Sequence, residues 1–245
     1  MTDGLLLLHA FPLDATMWSP QMSAFPGITI VAPDLPGFGE MSPAGPLASM
    51  DEGADVAAEE LDASGLDRVV VCGLSMGGYV AFSFWRRHRD RVRGLLLANT
   101  RSGADDEAGK ERRRSLAARL RQEGNGFLVE TPPPLLSSGA PGELWARVKE
   151  IIERQPAGSI AAASMAMAER VDSTADLAGI DVPTLIVTST GDTLIPAEAT
   201  TPMAGQIPGA RLEVIEGAGH LSNLEAPEAF NRLLRGHLVD CRLLT

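Results

Sequence analysis

Ser75 lies in the run VVVCGLSMGG at 69 to 78, with Gly73 two residues before it and Gly77 two after. The apolar residues ahead of it read as a buried strand and the residues behind it as a helix. The glycines let a tight turn form against neighbouring backbone. A G-x-S-x-G turn between strand and helix leaves one hydroxyl at the mouth of the sheet, where a nucleophile would be placed. For the motif taken alone, a Gly-rich turn that cradles phosphate at a helix start is the alternative.

A serine hydroxyl attacks at neutral pH only when a base takes its proton and an acid orients that base. Of the four histidines, only His220 sits in a Gly-flanked loop after the last strand candidate, in EGAGHLSNLE. His88 in RRHRDR reads as a helix end and His237 in RLLRGHLVD as part of a C-terminal helix, while His9 ends the first strand and would brace the next loop. TLIVTSTGDTLIP places Asp192 just beyond another strand, where an orienting carboxylate belongs; its alternative is a turn or helix-cap acid. Asp105, Asp106 and Glu216 are reserve acids. Asn99 also follows a strand, but an amide cannot stabilise an imidazolium as a carboxylate does. The chain order Ser75, Asp192, His220 is an established order for such a triad on a parallel sheet. Oxyanion donors would be the backbone N–H of Met76, directly after Ser75, and that of Phe11 in LLHAFPLD, where Pro12 fixes the exit direction.

The elements that must position these residues are short and nearly all apolar: LLLL at 5 to 8, ITIVA at 28 to 32, VVVC at 69 to 72, GLLLA at 94 to 98, TLIVT at 184 to 188 and LEVIE at 212 to 216. Strands of this kind alternating with helices predict a doubly wound α/β sheet covered on both faces. Between 98 and 184 the rhythm breaks into helical stretches at 108 to 123, 142 to 155 and 159 to 169, interrupted by TPPPLL at 131 to 136. This interval, about 101 to 181, reads as a helical cap on a single domain spanning 1–245. Pocket candidates there are Phe127, Trp145, Met165 and Arg170, with Trp18 outside the cap. Arg170 is the cationic one, suited to anchor a carboxylate unless it pairs with Asp172. The Met-Ala stripe around Met165 and Met167 is read as helix packing before acyl pocket.

The net charge of −11 argues against nucleic acid as a partner. Arg112, Arg113 and Arg114 lie among glutamates and read as a solvated helix face. No stretch reaches the length of a membrane span, and MTDGLLLLHAFP lacks the pattern of a signal peptide. Cys72, read as core, and Cys241 are far apart, so a reducing cytoplasm is the expected compartment. No zinc-type cysteine pair or phosphate-binding Gly-Lys-Ser run occurs, and no cofactor or metal is expected.

With these residues assembled, the chain resembles the α/β-hydrolase superfamily, in particular the group of 3-oxoadipate enol-lactonases, small bacterial carboxylesterases and cofactor-free haloperoxidase-type perhydrolases. The blocks HAFPLDATMW, DLPGFGE, CGLSMGGYVAF, GDTLIP and GAGHLSNLEAPEAFN carry the likeness in order from residue 9 to 231. The resemblance implies Ser75 as nucleophile, Asp192 as orienting acid, His220 as base and then acid, and Phe11 and Met76 as oxyanion donors. It implies a serine hydrolase of a small carboxylic ester or lactone, with perhydrolysis on the same triad, or a ligand-binding protein with little turnover, as alternatives. Asp34 and Gly37 in DLPGFGE are expected to be structural. The family usually opens with a β-hairpin, whereas few residues precede LLLL here, so a sheet of about six parallel strands is expected without the antiparallel one. ITIVA would then be an edge, leaving the chain a monomer or a homodimer through that edge. Ala10 stands where the family usually has Gly, which bears on the shape of the oxyanion loop.

Overall fold

A computed structural model describes residues 2–244. Each apolar run becomes a strand: β1 (Asp3–Leu8), β2 (Ile30–Val31), β3 (Arg68–Leu74), β4 (Val92–Ala98), β5 (Thr184–Ser189) and β6 (Arg211–Ile215). They form one sheet, in the order β2-β1-β3-β4-β5-β6, and every pairing is parallel. The expected six-strand parallel sheet is what forms. The central strands β1, β3, β4 and β5 are buried along almost their whole length, as unbroken leucine and valine runs require when helices cover both faces. The edge β2 takes up only Ile30 and Val31 of its apolar run, and Pro33, two residues further on, has no N–H to extend the ladder.

The helices are α1 (Ser19–Ala24), α2 (Met50–Ala63), α3 (Met76–Arg87), α4 (Glu107–Glu123), α5 (Gly126–Glu130), α6 (Gly142–Arg154), α7 (Ala157–Ala168), α8 (Ala197–Thr200), α9 (Pro202–Gln206), α10 (Ser222–Glu225) and α11 (Pro227–Asp240). α2 starts at Ser49, whose side chain caps the N–H of Glu52, and α4 starts at Asp106, whose carboxylate caps Gly109. Asp106 is thus a helix cap. Helix α3 is buried from Met76 to Trp85, as the helix directly behind Ser75. Helices α4 to α7 occupy the interval between β4 and β5, and α7 lies along α4.

One carboxylate ties together the entry and the helices of this α4–α7 insertion, the expected cap. Asp105 is buried and takes ion pairs from Arg101, Arg113 and Arg170, the last at 2.9 Å, joining the entry of the cap, α4 and the end of α7. The partner of Arg170 is therefore Asp105; Asp172 instead accepts the N–H groups of Ala104 and Thr174. Arg113 departs from the solvated face expected of its run, since it turns inward to Asp105 and to the sulfur of Met167. Burial raises the Asp105 pKa, but hydrogen bonds from Arg170 and Arg113 and the charges of both more than reverse this and hold it well below the usual carboxylate range.

Candidate active site

The C-terminal ends of β3, β4, β5 and β6 bring Ser75, Asn99, Asp192 and His220 to one edge of the sheet. Ser75 has φ 56° and ψ −115°, a strained conformation for a residue with a side chain, and it is half-buried. The glycines around it are dictated by space. A Cβ on Gly73 would strike the backbone of Gly77, one on Gly77 the carbonyl oxygen of Leu8, and one on Gly78 the side chain of Thr100. The turn is fixed on both sides: Ser75 N–H donates to Ala98 O at 3.0 Å, and Thr100 Oγ1 donates to Ser75 O at 2.8 Å.

Asp192 and His220 meet directly. Asp192 Oδ2 lies 2.8 Å from His220 Nδ1, and both side chains are almost fully buried. An ionised carboxylate only accepts, so Nδ1 carries the proton and Nε2 keeps its lone pair for another donor. The other carboxylate oxygen accepts the backbone N–H groups of Leu194 and Ile195, both at 2.9 Å, and Asn99 Nδ2 donates to Oδ2 at 3.0 Å. Burial pushes the Asp192 pKa upward, but the hydrogen bond and charge of His220, with the donors Ile195 and Asn99, outweigh it and lower the pKa. Neither Ser75 Oγ nor His220 Nε2 takes a hydrogen bond among the described residues, so each is left available.

Two contacts place the imidazole along the sheet edge. Gly219 N–H donates to Glu225 Oε2 at 2.9 Å, and Leu221 N–H donates to Leu135 O at 2.8 Å. Glu225 also accepts Ser137 N–H at 2.9 Å, so the TPPPLL segment is a strap joining the cap to the histidine loop. A Cβ on Gly219 would run into the backbone of Leu136 and Ser137. Neither Glu225 nor the strap stands out in the sequence, because their partners lie far away along the chain.

Phe11 is half-buried, and its N–H makes no hydrogen bond among the described residues; Pro12 follows it through a cis peptide bond. Met76 opens α3, where a first-turn N–H has no intrahelical partner. His9 ties this region down: its Nδ1 lies 3.1 Å from Ala10 O, and its Nε2 accepts Leu35 N–H at 3.0 Å, which sets the neutral tautomer. Its burial lowers its pKa, in keeping with that state. Asp34 accepts the N–H groups of Ala15 and Glu40, joining the segment after β1 to the DLPGFGE turn. Gly37 has φ 86° and packs against Ser159.

The remaining site residues are placed as follows. Trp18 is fully buried, its ring packed against that of Phe230 in α11. Phe127 is half-buried under the guanidinium of Arg119, at 3.7 Å, and Trp145 and Met165 are half-buried against the core. Arg170 is buried. Its terminal nitrogens donate to Met167 O and Gly103 O, each at 2.8 Å, and to Asp105, while its guanidinium lies 4.2 Å over the ring of Tyr79. No group of His, Cys, Asp and Glu that could hold a metal ion occurs among the described residues.

A parallel sheet with a strained serine elbow behind one strand and an Asp–His pair behind two later ones defines the α/β-hydrolase class. Residues 5–233 match the Alpha/beta hydrolase family, and the chain belongs to that family. It is similar to the (E)-2-((N-methylformamido)methylene)succinate hydrolase of Acinetobacter baylyi, at 30% identity over 96% of this chain and 90% of that one. Among solved structures it is similar to a thermophilic esterase from Thermogutta terrifontis with malate bound, at 38% identity and TM-score 0.91, covering 98% of this chain and 90% of that one. It is also similar to the enol-lactonase from Burkholderia xenovorans LB400, at 25% identity and TM-score 0.87, covering 98% and 92% of the two chains.

Proposed function

We propose that the chain is a serine hydrolase of small carboxylic esters or lactones. The observation that carries this reading is the Asp192–His220 contact of 2.8 Å, which leaves His220 Nε2 free at the sheet edge where the Ser75 elbow opens. Ser75 Oγ attacks the substrate carbonyl as its proton passes to His220 Nε2, and the carbonyl oxygen becomes an oxyanion facing the N–H groups of Phe11 and Met76. Collapse of this intermediate breaks the ester bond, and His220 returns the proton to the leaving alkoxide. Water then attacks the acyl group on Ser75 and gives its proton to His220. The acid is released as that proton goes back to Ser75 Oγ, and Asp192 stabilises the imidazolium in each half-reaction.

The fate of Arg170 narrows the substrate. Its terminal nitrogens already donate to Asp105 and two backbone carbonyls, and its charge is paired with the Asp105 carboxylate, although its Nε–H has no partner. With that charge already paired, Arg170 supplies no strong pull on an acid-bearing lactone, and neutral esters are the first substrates to test. Hydrolysis of p-nitrophenyl acetate and butyrate by the wild type and Ser75→Ala, beside an enol-lactone carrying a carboxylate, tests both parts. The expected result is turnover of the neutral esters that disappears in Ser75→Ala, with a lower kcat/KM for the anionic lactone. Equal turnover by the variant would refute the nucleophile, and preference for the anion would refute the substrate class.

A further inference from the structure

Asn99 is buried with nothing exposed, and its backbone sits at φ 44°, a left-handed conformation that asparagine adopts more readily than most residues. Its amide is fully engaged. Nδ2 donates to Ser189 Oγ at 2.7 Å and to Asp192 Oδ2 at 3.0 Å, and Oδ1 accepts from Ser222 Oγ at 2.6 Å. Ser189 Oγ in turn donates to Gly219 O at 2.6 Å. These bonds form a chain through one side chain: Gly219 and Ser222, on either side of His220, are both tied to Asn99, and Asn99 is tied to the oxygen that accepts His220 Nδ1–H. The Asp192 carboxylate only accepts, so Asn99 must present Nδ2 to it, and the amide has a single consistent orientation. Turned over, its oxygen would face the Asp192 carboxylate.

We propose that Asn99 is a positioning residue for proton transfer, fixing the Asp192 carboxylate and the His220 loop together, with Ser222 setting the orientation of its amide. The inference rests on the triad reading given above. Asn99 and His220 donate to the same carboxylate oxygen, so the amide also draws off part of the charge that would otherwise stabilise an imidazolium. Removing the amide leaves the carboxylate free to turn and makes that oxygen a stronger partner for protonated His220. Both effects act on catalysis through His220, without contact between Asn99 and substrate.

The test is kcat, KM and the pH profile of kcat/KM on p-nitrophenyl butyrate for the wild type, Asn99→Ala and Ser222→Ala, with active sites counted by a fluorophosphonate. For Asn99→Ala we expect kcat per active site to fall about tenfold, as for loss of one hydrogen bond to a charged group. KM should change by less than about twofold, and the acid limb should move up by about half a pH unit. Ser222→Ala should shift both quantities the same way by a smaller amount, and it keeps the test alive if Asn99→Ala does not fold. A merely structural role would lower the number of active sites and leave the acid limb in place. Per-site kcat and acid limb equal to wild type would overturn the inference while Ser75-dependent turnover still supports the triad. Loss of Ser75 dependence would overturn both together.

Discussion

At the scale of single residues, the proposed mechanism has Asp192 orient His220 and keep the proton on Nδ1, which their contact allows. Asp192→Asn should therefore lower kcat by about ten-thousandfold, because an amide can donate to Nδ1 and select the wrong tautomer. Steady-state kinetics with the fold checked by circular dichroism would show it, and a loss of less than tenfold would refute the role. The placement of Ser75, Asp192 and His220 at one end of the sheet was legible in the sequence because each follows a strand within a turn of restricted chemistry. Asn99 was legible as a strand-end residue but not as a hub, since its partners Ser189, Asp192 and Ser222 are distant in sequence. Arg170 was singled out for its charge, yet its partner Asp105 could not be chosen over the nearer Asp172, because cap geometry decides between them.

Elements hold these residues at two tight places. At the elbow, α3 approaches the end of β1 so closely that Gly77→Ala forces a Cβ into Leu8 O. We expect this variant to lose at least about 2 kcal/mol of stability and nearly all turnover, read by urea denaturation and ester hydrolysis. At the cap stem, Asp105→Ala leaves three arginines without their shared carboxylate, two of them largely buried. A cost of about 3–5 kcal/mol is expected, and a change under 1 kcal/mol in urea denaturation would show that the cap does not depend on this carboxylate. All six strands could be read from apolar runs, because buried parallel strands have little polar content to obscure them. TPPPLL was visible as a helix break, but its service as a strap to the histidine loop depends on Glu225 and Gly219 and left no local signal.

For the whole molecule, four buried groups act on stability in the same sense. Burial lowers the pKa of His237 to about 4 and lowers that of His9, so both fold as neutral rings that the unfolded chain protonates first. Their contribution is complete above the ordinary histidine pKa of about 6.5 and fades as pH falls toward the folded value. Asp105 and Asp192 have lowered pKa values, so their contribution is complete above the ordinary carboxylate pKa of about 4 and fades below it. The Tm should therefore fall from pH 7 to pH 4, and His237→Leu should flatten the upper part of that fall; an unchanged slope would contradict the burial argument. On the exposed edge β6, Leu212 and Val214 alternate with Arg211 and Glu213, charges that discourage strand pairing, while β2 offers only two residues. We expect a monomer by light scattering at micromolar concentration, and a dimer would point to one of these edges. The measurement that bears most directly on the central claim is intact-mass and peptide mapping after treatment with a fluorophosphonate. One adduct on Ser75, formed by the wild type and absent from Ser75→Ala, is the predicted result. An adduct elsewhere, or none on a protein that turns over esters, would contradict the assignment of Ser75 as the nucleophile.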